Sequence, residues 1–257
     1  MPIHGRHIEQ SLQIAAPPER VWNALTQPSE LNRWETTEAH LDLRTGGDFL
    51  YVFAYGPPRP GTFLAVDPPR RMVQLNFVYN GDRNFRYVNA LTLTGTPDGT
   101  VVDVLVEGFG DDEVERWLCE SMDLGWEGDL QLLKIWVQEG RDARPDIWPG
   151  LYLGIAYLSA PTGGIMVREV FPGTPANEAG ITPGDLLTAL GGEPISDFRG
   201  FRSLLGQYEI GDTTSICGLR DAVPFTTEIS FGDAFAAQTA PGKEPARTAS
   251  LAGDATG

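Results

Sequence analysis

Residues 164–187 read GIMVREVFPGTPANEAGITPGDLL, and their punctuation decides how the C-terminal part of the chain folds. Gly164 to Val170 is a short run rich in β-branched and long apolar residues, the composition of a half-buried strand. Pro172-Gly173 breaks that run. Thr174 can cap, Pro175 fits a first helical position and Gly180 closes, which predicts a one-turn helix. Pro183-Gly184-Asp185 is a turn beyond which the chain continues as a strand to Leu190, and Gly191-Gly192 makes the next tight turn. Ser196 or Asp197 can then cap a helix running to about Leu205, with Phe198, Phe201, Leu204 and Leu205 at helical spacing.

Around this core lie further elements in a fixed order: Tyr152-Leu153-Gly154-Ile155 before it, and Gly191-Gly192-Glu193-Pro194-Ile195 after it. With them, the stretch from about Gly150 to Phe231 resembles a PDZ domain of the bacterial, HtrA-protease-associated type. The plainer alternative is a generic small β-barrel with glycine turns. The resemblance implies a small β-barrel with two helices and a groove that takes an extended peptide as an added strand. It places the carboxylate-holding backbone loop at Leu153, Gly154 and Ile155, since successive N–H groups in such a loop form an anion nest. The peptide-pairing edge would be Ile155, Ala156 and Tyr157, with Phe201 and Leu205 facing the groove from the helix; simple core packing is the competing account of those two. No His lies in that helix, so an apolar peptide end is expected.

Upstream, Ile8, Gln10, Leu12 and Ile14 alternate with Glu9, Ser11 and Gln13 as a strand does. Ala16-Pro17-Pro18-Glu19-Arg20 follows, with prolines and an acid where a helix's first turn accepts them, and Val21, Trp22 and Leu25 share a face. A short helix runs from Pro28 to near Trp34. Then come strands ending at Leu43, at Phe49–Tyr55, Thr62–Val66, Met72–Tyr79, Phe85–Leu93 and Val101–Val106, separated by Pro- and Gly-rich turns. So many strands leave an apolar face that must be covered. The cover predicted here is a helix from about Asp111 to Glu139, with Trp126, Leu130, Leu133 and Val137 in helical phase and Gly140 as its stop.

Ile14 to Trp22, Leu25-Thr26, Leu31, Arg33-Trp34, Gly46-Gly47 and Gly125-Trp126 are together similar to the START-like superfamily. The branch they resemble is named for the C-terminal domain of activators of the ninety-kilodalton heat-shock chaperone's ATPase. The resemblance implies an α+β helix-grip fold: a curved antiparallel sheet wrapped on a long C-terminal helix, with a mostly apolar cavity between them. Its expected lining is Trp34, Phe49, Tyr51, Phe53, Phe77, Tyr87, Trp117 and Trp126, against the alternative that most are ordinary core. Asp129, beside the helix's apolar stripe, reads either as a solvated helix-edge acid or as a pocket carboxylate with a raised pKa.

The expected organisation is a START-like domain over 7–140, a linker at 141–149, a PDZ domain over 150–232 and a disordered tail over 233–257. A formal charge of −16 argues against nucleic acid as a partner. Nowhere do about eighteen apolar residues run together, so no membrane span is expected, and a cytoplasmic location is the expectation. Cys119 and Cys217 fall in different domains, and His4, His7 and His40 lack metal-site spacing, so neither cofactor nor metal is expected. No G-x-S-x-G elbow, P-loop or Gly-Asn/Asp-Ser-Gly-Gly element is present; no catalytic residue is assigned and the PDZ resemblance brings no proteolysis.

The expected function is non-catalytic: an adaptor with a pocket for a small hydrophobic ligand or client and a groove for a peptide or protein C-terminus. One alternative is a START-like enzyme, of cyclase or hydrolase type, acting on an aromatic or polyketide-like molecule. Buried polar groups facing the cavity favour that alternative and an all-apolar cavity sinks it. A co-chaperone that stimulates a chaperone ATPase is the other.

Overall fold

Two large antiparallel sheets and a two-stranded one, with a long helix between the large two, make up the computed structural model, which describes residues 6–53, 58–80, 83–147 and 151–233. The expected tail from 234 onward and the linker end at 148–150 lie outside the described residues.

The first sheet has seven strands: β1 (Arg6–Ile14), β2 (Glu38–Leu41), β3 (Asp48–Val52), β4 (Arg59–Asp67), β5 (Arg71–Asn80), β6 (Arg83–Thr96) and β7 (Gly99–Phe109). They lie in the order β1-β7-β6-β5-β4-β3-β2. Strand period two sorts the side chains: Thr100, Val102, Val104, Val106 and Phe109 of β7 point inward while their neighbours face out. Two short helices, α1 (Pro18–Thr26) and α2 (Pro28–Trp34), fill the step between β1 and β2. Each starts with proline in its first turn, and together they bury Val21, Trp22, Leu25, Leu31 and Trp34. The Trp34 indole N–H donates to the Ala24 carbonyl at 3.0 Å, fixing the ring that forms the cavity floor.

The long helix α3 (Glu113–Glu139) crosses the concave face of this sheet. Asp112 caps it, its carboxylate accepting from the Val114 and Glu115 N–H groups at 2.9 and 3.0 Å. At the far end Gly140 takes a left-handed conformation at φ +67°, where other residues are disfavoured. Leu130, Leu132 and Leu133 are buried against the sheet. A four-residue helix, α4 (Arg144–Ile147), follows in the stretch expected to be a linker, and Arg144 donates to the Thr36 carbonyl at 2.8 Å.

The C-terminal part contains β8 (Leu151–Tyr152), β9 (Ile155–Ser159), β10 (Ile165–Val170), α5 (Pro175–Glu178), β11 (Leu186–Leu190), β12 (Glu193–Pro194), α6 (Phe198–Leu205), β13 (Thr213–Arg220), β14 (Val223–Ser230) and β15 (Gly232–Asp233). The sheet runs β14-β13-β11-β10-β9, with β12 on β11, and β15 pairs with β8. Both predicted helices form, α5 capped by the Thr174 hydroxyl and α6 by the Asp197 carboxylate. The Pro183-Gly184-Asp185 turn is locked from inside. Asp185 is fully sheltered and accepts from the Thr182 N–H and twice from Arg220, each at 2.8–2.9 Å. Burial alone would raise its pKa; these donors outweigh that and hold it below the ordinary carboxylate value. The fold class is α+β, as expected.

Candidate ligand cavity and peptide groove

A cavity of about 1300 Å³ lies between α3 and the concave sheet face and runs on to β9 and α6 of the second sheet. Of the eight lining residues expected from the sequence, Trp34, Tyr51, Phe53, Phe77, Tyr87, Trp117 and Trp126 border it. Phe49 does not. It is 3 % exposed and packs into the core at 4.9 Å from the Tyr51 ring and 5.1 Å from the Phe63 ring.

The cavity wall is polar at one end. On β5 the inward positions run Met72, Gln74, Asn76; on β6 they run Tyr87, Asn89, Leu91, and the register sets Gln74 opposite Asn89 and Asn76 opposite Tyr87. Gln74 donates to the Tyr51 hydroxyl at 2.8 Å. The Asn76 and Asn89 side-chain oxygens and the Tyr87 hydroxyl have no hydrogen-bond partner, although these residues are 1 %, 3 % and 1 % exposed. A buried polar atom left unpaired costs on the order of 1–3 kcal/mol, and three such atoms lie together on this cavity wall.

Two carboxyl groups complete this end. Glu35 follows the last turn of α2 and Asp129 comes from the middle of α3; both line the cavity and are half-buried. Burial raises the pKa of Glu35 to about 8, with the Asp129 charge adding to the rise and Arg59 opposing it. Burial likewise raises Asp129, to about 6, against Arg59. Arg59 also borders the cavity, its guanidinium 4.9 Å from the Phe53 ring centre. One cation therefore serves two acids, and the pair titrates above the range of isolated carboxyls.

Glu35, Gln74, Asn76 and Asn89 were not among the expected site residues. A signal for the last three does exist in the sequence: they occupy the inward phase of strands whose neighbouring inward positions are apolar. Polar residues at core positions are errors unless they serve a site.

In the PDZ-like part, Leu153 and Gly154 are buried, the Gly154 carbonyl accepts from the Phe171 N–H at 2.9 Å, and Ile155 begins the outer strand β9. Gly154 has φ +79°, and a Cβ there would sit 2.2 Å from that of Thr174, so only glycine fits. Ile155, Ala156 and Tyr157 border the cavity's second end. Phe201 and Leu205 are 0 % and 6 % exposed and belong to the core, with the Phe201 ring edge-on to Tyr157 at 5.1 Å. Phe198 and Arg202 face the void instead.

The N-terminal half of α3 lies against β9 and α6. The Glu120 carboxylate accepts the Ser159 N–H of β9 at 3.1 Å. Arg199 of α6 reaches Asp123 at 2.6 Å and Glu127 at 2.5 Å. Arg168 pairs with Glu113, and Trp117 and Leu124 pack on the second core.

Comparison with known proteins agrees with this division. Residues 15–138 match the family model described as "Activator of Hsp90 ATPase homolog 1-like protein", and residues 151–231 match that of the PDZ domain. The periplasmic serine endoprotease DegP of Salmonella typhimurium is 36 % identical over 66 residues, 26 % of this chain and 14 % of that protein. The chain thus spans about a seventh of the length of such curated relatives. Among solved structures, protein MLL2253 from Mesorhizobium loti is 27 % identical, with 50 % of this chain and 94 % of that one covered at a TM-score of 0.46. The Aha1 dimer from Colwellia psychrerythraea is 17 % identical, with 52 % and 98 % covered at a TM-score of 0.47. No helix among the described residues is long and apolar enough to cross a membrane. The chain is therefore similar to the Activator of Hsp90 ATPase homolog 1-like family over residues 15–138 and to PDZ domains over residues 151–231, a pairing that supports a binding or adaptor role.

Proposed function

We propose that the protein is a two-site adaptor, whose first domain encloses a small, largely hydrophobic ligand and whose PDZ domain takes a peptide or protein C-terminus along β9. The observation that carries this reading is the cavity of about 1300 Å³, walled by Trp34, Tyr51, Tyr87 and Trp126 and continued to Ile155–Tyr157. A space of that size holds a drug-sized or larger molecule, and aromatic walls with a few polar groups are the usual lining of ligand sites. The peptide reading rests on β9 being the outer strand of its sheet, with α3 as the present neighbour that an incoming peptide must displace. Native mass spectrometry of protein purified from its own host tests both sites. A released hydrophobic small molecule supports the cavity, a released peptide supports the groove, and a protein empty of both counts against the reading. Cytoplasmic residence belongs to the same proposal, and cell fractionation decides it against the periplasm.

A second reading, an enzyme acting on an aromatic or polyketide-like molecule, is favoured by Glu35 and Asp129. Two carboxyls whose pKa values are raised unequally can divide into a general acid and a general base. Turnover of such a substrate that Glu35→Gln abolishes, with binding retained, would establish it.

A further inference from the structure

We infer that the polar end of the cavity is a cation site, which receives the protonated amine of a hydrophobic ligand between Glu35 and Asp129. This inference rests on the cavity being a ligand site and names the chemistry of what enters it.

The charge count comes first. Two acids, Glu35 and Asp129, and one base, Arg59 on β4, act on the polar end together with the phenols of Tyr51 on β3 and Tyr87 on β6; Arg144 with Asp142 and Arg168 with Glu113 line the cavity as ion pairs, and Glu169 and Arg202 line it on the PDZ side. With both acids ionised the site carries one uncompensated negative charge. Burial raises both carboxyls, and at Glu35 the Asp129 charge adds to the rise. An ammonium group would supply the balancing positive charge together with its own N–H donors.

The unpaired atoms point the same way. The Asn76 and Asn89 oxygens can only accept, and the Tyr87 hydroxyl can accept as well as donate. A carboxylate or phosphate ligand would bring further acceptors to a wall already lined with them, next to two acids. An alcohol brings a single donor and an ammonium up to three.

The walls agree with a cation too. Trp34, Tyr51 and Tyr87 line the same cavity as the acids, and the faces of such rings attract a desolvated ammonium. The remaining lining, Phe53, Phe77, Phe85, Met122 and Leu132 among it, is apolar and suits the ligand's body.

The test is isothermal titration calorimetry of the full chain at neutral pH with three probes of one shape: 2-(2-naphthyl)ethylamine, 2-(2-naphthyl)ethanol and 2-naphthylacetate. The expected result is that the amine binds at least tenfold more tightly than the alcohol and that the acid binds weakest. Repeating the amine titration in buffers of different ionisation enthalpy should show release of up to one proton, and the alcohol should release none. In Glu35→Gln/Asp129→Asn the amine's advantage should fall to within about threefold while alcohol binding stays. Should the double variant not fold, the order of the three probes and the proton release on the wild-type chain still decide. An alcohol or acid that binds as well as the amine overturns the cation site and leaves the cavity standing as a ligand site. Failure of all three probes overturns both.

Discussion

The backbone N–H of Ser159 and the carboxylate of Glu120 stand 3.1 Å apart, so an outer-strand donor of the PDZ sheet is satisfied by a side chain from the other domain. Arg199 adds its two ion pairs to Asp123 and Glu127 on the same helix. An extended peptide that pairs with β9 must replace the first contact and loosen the others. Each exposed ion pair contributes only about 0.2–1 kcal/mol after solvent screening. Glu120→Ala/Arg199→Ala should therefore tighten binding of a peptide with an apolar C-terminus by about three- to thirtyfold, read by fluorescence anisotropy. Hydrogen exchange at Ser159 should quicken in the same variant. Unchanged affinity would mean that α3 does not guard the groove.

Glu35 sets a stability cost that depends on pH. Its folded pKa is raised above the ordinary value of 4.5 to about 8, so its contribution is intact below pH 4.5 and is lost as pH rises through about 8. Glu35→Gln has no proton to lose. The variant should match the wild type in thermal melts near pH 4 and exceed it by several degrees at pH 9. A variant equally stable at both ends would show that the carboxyl is not held protonated.

Asp185 behaves with the opposite sign. Its folded pKa lies below the ordinary 3.8, so its contribution is present at neutral pH and is lost as pH falls through the folded value. Asp185→Asn keeps the shape but removes the charge that Arg220 and the Thr182 N–H address. A loss of about 1.5–3 kcal/mol at pH 7 is expected from charged hydrogen bonds of this kind, shrinking below pH 3. Urea denaturation at the two pH values measures it.

Tyr87→Phe removes a hydroxyl that has no partner in the empty cavity. Stability without ligand should stay level or rise by about 1 kcal/mol. Affinity for a bound amine should fall several-fold, because a wall acceptor has gone. A destabilised variant would show instead that the hydroxyl is satisfied in solution, by water.

The elements of both domains could be read from the chain because their signals are local. Proline at the first turns of α1, α2 and α5, the Asp112 and Asp197 caps and alternating strand faces all act within a few residues. The aromatic lining was expected from the family resemblance; its strand residues border the cavity because an inward strand position stays inward in any register that buries the apolar face. Phe49 shows the limit, since inward is not the same as cavity-facing; it spends its surface on Phe63 and Tyr51. Glu35 was invisible because an acid after a helix normally meets water, and only the placement of α3 and β4 around it turns it into the cavity wall. Asp129 had the same ambiguity, and the helix's rotation resolved it. Phe201 and Leu205 were placed at the groove by the PDZ resemblance, with core packing as the competing account; both lie in the core, whereas Phe198 and Arg202 border the cavity. The lid across the groove had no sequence signature at all, because it depends on two units meeting.

That meeting makes the usual cut between domains a poor one. A fragment ending at Gly140 would carry Trp117 and Leu124 with nothing to rest on. A fragment beginning at Leu151 would bare the β9 and α6 faces that α3 now covers. Each half on its own presents a sticky patch that the intact chain hides, and separately expressed halves should self-associate or be reunited when mixed. The two modules can be told apart by family and by sheet, yet heat should melt them together.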